Sequence, residues 1–258
     1  PELGIVAAKV VLNKFFSEDE WNIAGILSED PSQECPFIIK NILARKFEDM
    51  TIIILQYCNC KTLYDLIAAN KDIPLSVVRV IMKQIMEGLC FIHSKGLIHR
   101  DIKPGNILLH SLIGSGRVIA KIADFGDVKI NPNVDQLSMF LSFKGTHVYM
   151  PPEIILGDQN QLKVASSKVD MWSAGIILYR LLTHTFPFHS TNDIDIKQFM
   201  EDKVLIRPPS VVDNDLWDFL RRLLCFNRKD RISASDALQH PFFTNEQRLL
   251  DKRTLKLR

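Results

Sequence analysis

The sequence predicts a two-lobed α+β fold, a small β-rich lobe with one key helix followed by a larger, mainly helical lobe. Short β-branched runs separated by polar turns crowd roughly the first 60 residues, and apolar stretches spaced three and four apart fill much of the remainder. The chain has 258 residues, 47% of them hydrophobic and 24% charged, which suits a globular protein that buries a sizeable core. Its 32 Lys and Arg against 30 Asp and Glu leave a net charge of +2, no electrostatic footprint for nucleic acid. No apolar run reaches the roughly 18 residues of a membrane helix, and no secretory signal opens the chain. Five scattered cysteines, Cys35, Cys58, Cys60, Cys90 and Cys225, are odd in number and too few for a disulfide framework. A reducing compartment is expected, the cytoplasm or the cytoplasmic part of a larger protein. Cys58 and Cys60 lack a second Cys/His pair nearby and read as ordinary thiols rather than a zinc site. The chain opens on Pro1 rather than Met, as a fragment would.

Segment 5–12 is short, apolar and β-branched and reads as a buried strand, in which Lys9 needs a reason. Phe16, Glu20, Ile23 and Leu27 recur at the period of one helix face, which sets Glu20 among apolar side chains, where a carboxylate wants a partner. Residues 37–43 and 51–57 read as two more strands joined by the turn Lys46-Phe47-Glu48-Asp49. A short helix over 63–69 precedes a core helix over 77–92, which Gly96 stops. Residues 107–109 and 118–123 form a hairpin around Gly114-Ser115-Gly116, a turn rather than a phosphate cradle because the third glycine is missing. From Asp124 to Glu153 no period persists, and so long a loop is uncommon unless functional. Residues 169–182 are apolar nearly all round, hence a buried helix, and 215–224 are amphipathic. His93, His184, His189 and His240 stand apart from acidic or cysteine partners at ligand spacing and are assigned no metal.

The richest chemistry lies in His99-Arg100-Asp101-Ile102-Lys103-Pro104-Gly105-Asn106, a polar loop between two apolar runs. Asp101 can accept a proton, Lys103 can neutralise developing negative charge, and Asn106 offers a hard oxygen to a divalent cation. Asp124, directly after a buried strand, offers a second oxygen ligand. These are the parts that phosphoryl transfer needs, because its chemistry is mostly positioning and charge stabilisation around Mg²⁺.

With these residues in place, the chain resembles a eukaryotic protein kinase domain over nearly its whole length. The ordered matches are Val6-Ala7-Ala8-Lys9, the helical Glu20, His99 to Asn106, Asp124-Phe125-Gly126, Gly145-Thr146 with Pro151-Pro152-Glu153, Asp170-x-Trp172-Ser173-x-Gly175, and Arg231. Lys103 is the form similar to serine/threonine kinases, so the resemblance implies transfer of the γ-phosphoryl group of ATP, with Mg²⁺, to Ser/Thr hydroxyls of protein substrates. It divides the chain into a partial N-lobe over 1–57, a C-lobe over 58–244 with activation segment 124–153, and a basic tail over 245–258. It implies that Lys9 holds the α/β-phosphates and is oriented by Glu20, eleven residues on. The alternative is a capping box, Ser17-x-x-Glu20, in which Glu20 only closes a helix start. Asp101 becomes the base or hydroxyl-orienting group, Lys103 contacts the γ-phosphate, and Asn106 and Asp124 hold the metal ions. Adenine lies between Ala7 and Leu108, its edge on backbone groups of Gln56 and Cys58, behind which Leu55 is the gatekeeper. Ser142, with Ser138 as rival, is the site of an activating phosphate from an upstream kinase or from autophosphorylation, with Arg100 as its partner. Thr146 touches Asp101, Glu153 pairs with Arg231, and Asp170 braces the catalytic loop.

The chain also departs from the pattern. Only Gly4 stands where a glycine-rich loop should precede the Lys9 strand, Ala24 is small where a larger apolar residue is usual, and Gly105 weakens any preference for basic substrates. The tail carries Lys252, Arg253, Lys256 and Arg258 beside leucines, and reads as a terminal helix packed on the large lobe or as a ligand for calmodulin or an acidic surface. The rival to the enzyme is a nucleotide-binding pseudokinase acting as a scaffold or allosteric partner.

Overall fold

A computed structural model describes residues 4–16, 18–28, 34–112, 114–126, 128–130, 147–157 and 166–245. The chain begins with strand β1 (Val6–Leu12), helix α1 (Glu18–Ser28) and strands β2 (Asn41–Lys46) and β3 (Met50–Gln56). The three strands form an antiparallel sheet in the order β1-β3-β2. α1 buries Ile23 and Leu27, two of the positions that the four-three spacing put on one face. Segment 5–12 is a strand, but not the buried one its composition suggests: Ile5 is 80% exposed and Val10 60%. β1 is the sheet's edge, and the face that carries Ala8, Val10 and Leu12 is open to solvent. The strand expected over 37–43 starts only at Asn41, because Ile38 and Ile39 leave the small sheet and are buried against the large lobe, with Ile38 bridging Ile122 in parallel.

Helices then dominate. α2 (Leu63–Ala68) starts at a capping box in which the Thr62 hydroxyl accepts from the Asp65 N–H and the Asp65 carboxylate accepts from the Thr62 N–H. α3 (Leu75–Ser94) buries Val78, Ile81, Met82, Ile85, Met86, Leu89 and Ile92, and Gly96 takes the left-handed φ of 70° that ends the run. Strand β4 (Leu97–Ile98) leads to the polar loop, and β5 (Ile107–Ser111) with β6 (Val118–Ile122) forms the expected antiparallel hairpin, with Gly114 and Gly116 at φ of 75° and 61° in its turn. The stretch 124–153 is less featureless than its lack of period suggests. β7 (Lys129–Ile130) pairs antiparallel with β4, and α4 (Pro152–Ile155) closes the stretch; two-residue pairing is too short to leave a periodic trace.

α5 (Lys168–Thr183) is the central helix, and Val169 through Leu178 are buried without a break. α6 (Asp193–Asp202), α7 (Asn214–Leu223), α8 (Ala234–Leu238) and α9 (Pro241–Thr244) follow, with α7 packed on α5 and α8 and α9 on α3. At Gly175 a Cβ would lie 2.7 Å from Leu224 Cδ2 and 3.0 Å from Leu223 Cβ, so α5 and the end of α7 meet where only a hydrogen fits. Phe188, Phe242 and Phe243 are buried, in keeping with a packing role. Among the described residues no helix is long and apolar enough to cross a membrane. The tail beyond Asn245 lies outside the described residues.

Candidate active site

The polar loop 99–106 is hung from the core by one carboxylate. Asp170, at the start of α5 and wholly buried, accepts the His99 N–H at 2.9 Å on Oδ2 and the Arg100 N–H at 2.8 Å on Oδ1. His93 Nε2 lies 2.8 Å from the same Oδ2. Burial pushes the Asp170 carboxyl up, but these bonds and the neighbouring imidazoles outweigh it and hold the group below the usual carboxylate range. His93 therefore does not stand apart from acids, and neither do two other histidines of that set: His240 lies 3.0 Å from Asp218, and His184 3.7 Å from Asp72. Their partners are remote in sequence, and only the fold brings them together.

Within the loop Arg100 takes a left-handed φ of 69°, which reverses the chain and delivers Asp101 into the cleft. Lys103 Nζ donates to Asp101 Oδ2 at 2.7 Å. Asn106 Nδ2 donates to the same oxygen at 2.8 Å and to the Asp101 carbonyl at 2.9 Å. Both amide protons of Asn106 are thus turned inward, which leaves its Oδ1 as the atom that can face a cation. His99 is buried, with Nε2 3.2 Å from the Ala123 carbonyl and Nδ1 accepting the Asp101 N–H at 3.3 Å. Burial, the largest influence, lowers its pKa against the pull of Asp170 and Asp101, and its bond from the Asp101 N–H requires an unprotonated Nδ1.

The second half of the site follows β6. The Ala123 N–H donates to the Asn106 carbonyl at 2.9 Å, which ties this strand end to the loop. Asp124 then turns at a left-handed φ of 67° and meets Lys9 Nζ at 3.0 Å. Burial pushes the Asp124 carboxyl up, while the Lys9 ammonium draws it down and prevails, so it stays ionised well into acid. Lys9 is thereby explained as the strand lysine that reaches a carboxylate on the other lobe. Ala7 lies two residues back on the same face of β1, opposite Leu55 of β3. Leu108 is placed by its antiparallel bridge to Thr62, and among the described residues neither the N–H nor the carbonyl of Cys58 has a backbone partner. The Gln56 N–H is taken by the Lys40 carbonyl at 2.9 Å, so the Gln56 amide does not face the cleft.

The donor set suits a hard cation. Asn106 Oδ1 and an Asp124 carboxylate oxygen are oxygen ligands of the kind Mg²⁺ takes beside substrate phosphates. No cluster of three or more His, Cys, Asp or Glu occurs among the described residues, so a self-sufficient metal cage is not what these atoms build.

The Glu153 carboxylate receives Arg231 Nη1 at 2.8 Å and Nη2 at 2.9 Å, a bidentate pair whose guanidinium is buried and lies 5.1 Å from the Trp172 ring centre. Glu20 lies in α1, but its side chain, like Ser138, Ser142 and Thr146, falls outside what the structure describes. Sequence reasoning missed His93, whose acid is 77 positions away, and Lys121, which is only 6% exposed in β6. The latter had a signal of the same kind as Lys9, a lysine inside an apolar strand.

Comparison with known proteins gives the same picture. Residues 3–243 match the model of the protein kinase domain. The human serine/threonine-protein kinase ULK1 is 32% identical over 213 residues, 79% of this chain and 20% of its own length. The Arabidopsis thaliana mitogen-activated protein kinase kinase 1 is 30% identical over 221 residues, 82% of this chain and 59% of its length. The serine/threonine-protein kinase cds1 of Schizosaccharomyces pombe is 33% identical over 202 residues, 76% of this chain and 42% of its length. The chain thus spans about a fifth to three-fifths of these relatives. With a family match across nearly its full length, and with the loop and strand ends arranged as described, the chain belongs to the protein kinase domain family.

Proposed function

We infer that this chain transfers the γ-phosphoryl group of ATP to a Ser or Thr hydroxyl of a protein substrate. The observation that carries the reading is the convergence on Asp101 Oδ2 of Lys103 at 2.7 Å and Asn106 at 2.8 Å, beside an Asp124 carboxylate held ionised by Lys9 at 3.0 Å. The hydroxyl oxygen forms a bond to the γ-phosphorus as the bond to the β,γ-bridging oxygen breaks, ADP leaves with that electron pair, and Asp101 takes the hydroxyl proton. Lys103 offsets charge on the γ-phosphate, and Lys9, oriented by Glu20, binds the α/β-phosphates. Asn106 and Asp124 hold Mg²⁺, which when bound neutralises the phosphate oxygens. Ala7 and Leu108 sandwich adenine, with its edge on the Gln56 carbonyl and the Cys58 backbone. The division of labour follows the lobes, 1–57 for nucleotide and 58–244 for catalysis and substrate. A phosphate on Ser142, or on Ser138, ordered by Arg100 and with Thr146 against Asp101, is the switch, set by an upstream kinase or by the chain itself. Five free thiols suit a reducing, cytoplasmic setting.

The test is Mg²⁺-dependent phosphate incorporation from ATP into a generic Ser/Thr substrate and into the protein itself, with nucleotide binding recorded on the same samples. Transfer that collapses in Asp101→Asn while ATP stays bound supports the enzyme. Equal, negligible transfer by both, with ATP still bound, overturns it in favour of a pseudokinase scaffold.

A further inference from the structure

Lys121 is a buried cation that the reaction does not use. It lies in β6, paired with Leu108 and three residues before Asp124, with 6% of its surface exposed. A lysine in that position is costly unless its ammonium is bonded. Its Nζ donates to the Pro36 carbonyl at 2.5 Å and reaches the Ile38 carbonyl at 3.4 Å. Burial lowers its pKa, opposed by the nearby Cys58, Cys35 and Glu34, and Lys40 adds to the lowering. Among the described residues the cation is therefore held by carbonyl dipoles rather than by a paired carboxylate.

Those carbonyls belong to a small-lobe segment that crosses over β6 of the large lobe. Segment 36–39 follows α1 and precedes β2, and its other backbone groups are laced to β6: the Ile122 N–H donates to the Phe37 carbonyl at 2.8 Å and the Ile39 N–H to the Ile122 carbonyl at 2.9 Å. The carbonyls of residues 36 and 38 alternate with these, point away from the ladder, and are the ones Lys121 binds. From the other side α3 presses close, since a Cβ at Gly88 would lie 2.8 Å from Ile122 Cδ1 and 3.2 Å from the Phe37 carbonyl. One residue further on, the Lys40 carbonyl accepts the Gln56 N–H, which links the same crossing to the end of β3. The small sheet with Lys9 and the strand end with Asp124 are thus joined through a crossing whose free carbonyls converge on one ammonium.

We propose that Lys121 is a positioning residue for phosphoryl transfer, a staple between segment 36–39 and β6 that sets the small sheet and α1 against Asp124. The proposal rests on the kinase reading above. A misplacement of about 1 Å can cost about a hundredfold in rate, so a smaller shift of Lys9 relative to Asp124 on loosening the staple should lower kcat by about tenfold.

The test compares Lys121→Met, which keeps the stem and removes the donor, with Lys121→Arg, which keeps a donor, in the full-length protein. Expected for Lys121→Met are a kcat lowered about tenfold or more with the Kd for ADP changed less than about threefold, because the substitution leaves the side chain of Leu108 and the backbone of Cys58 in place. Amide hydrogen exchange should quicken in peptides covering 36–40 and 118–124 while α5 and α7 keep wild-type protection. Lys121→Arg should recover much of kcat. The proposal is overturned if Lys121→Met keeps wild-type kcat, or if exchange rises equally in α5 and α7, the signature of a merely structural lysine. Should Lys121→Met fail to fold, Gly88→Ala disturbs the same crossing from α3, and the same pattern or its absence decides. A wild-type protein that binds ADP and transfers nothing sinks the kinase reading itself, a result distinct from transfer that ignores Lys121.

Discussion

Asp101 is gripped from three directions, by Lys103, by Asn106 and by its own N–H on His99 Nδ1. Replacement by Asn preserves size while removing the proton acceptor, so Asp101→Asn should lose about 10²–10⁴-fold in kcat with ATP affinity little changed. Steady-state phosphate transfer beside equilibrium nucleotide binding checks this. The lysines in the two strands illustrate how single residues announce themselves. An ammonium inside an apolar run demands a partner, and both Lys9 and Lys121 found theirs across the lobe boundary. Which partner could not be read beforehand: Asp124 is 115 positions from Lys9 and Pro36 is 85 from Lys121, and no local pattern encodes such distances.

At the scale of elements, the polar loop 99–106 depends on α5. Asp170→Ala would strand the buried His99 N–H, the partly buried Arg100 N–H and the His93 ring, a loss of about 2–5 kcal/mol in chemical unfolding together with a drop in kcat as the loop loses its suspension. Gly175→Ala, one to two turns along the same helix, tests packing instead. Its methyl would press on Leu224 and Leu223, and an increase of one carbon there should destabilise by about 1–3 kcal/mol without touching nucleotide binding, as measured by thermal unfolding and ADP titration. Helices α3 and α7 were legible from the period of an apolar face, and α5 from a long run apolar nearly all round. β7 was not legible, since two residues cannot show a period, and β1 was legible as a strand but not as an exposed edge, because strand position in a sheet is a matter of neighbours.

For the whole molecule, the buried polar groups set how stability follows pH. His99 is neutral in the fold, with a pKa lowered chiefly by burial, whereas in the unfolded chain it titrates near the ordinary value of about 6.5. Below that value the unfolded state takes up a proton that the folded state refuses. The stabilisation is complete above about pH 6.5 and is lost as pH falls toward the folded pKa, by at most about 1.4 kcal/mol per pH unit. Urea midpoints measured between pH 7 and 5 should fall accordingly, and His99→Asn should flatten that slope. Arg231 acts at the same scale, joining α4 to the turn before α8 through Glu153. Arg231→Ala removes the buried half of the pair and leaves the partly buried Glu153 carboxylate without its guanidinium, which should cost up to about 3–5 kcal/mol by the same unfolding assay. By itself, the sequence determined the two-lobed plan, and it singled out the polar loop 99–106, Lys9 as a lysine needing a reason and Asp124 as an oxygen ligand, because composition, period and motif are local properties. Tertiary structure alone decided that Asp170 suspends the loop, that His93 has an acid and that Lys121 reaches a carbonyl of the small lobe. Those are contacts between residues tens of positions apart, and only the burial of a shared core brings such groups within hydrogen-bond reach.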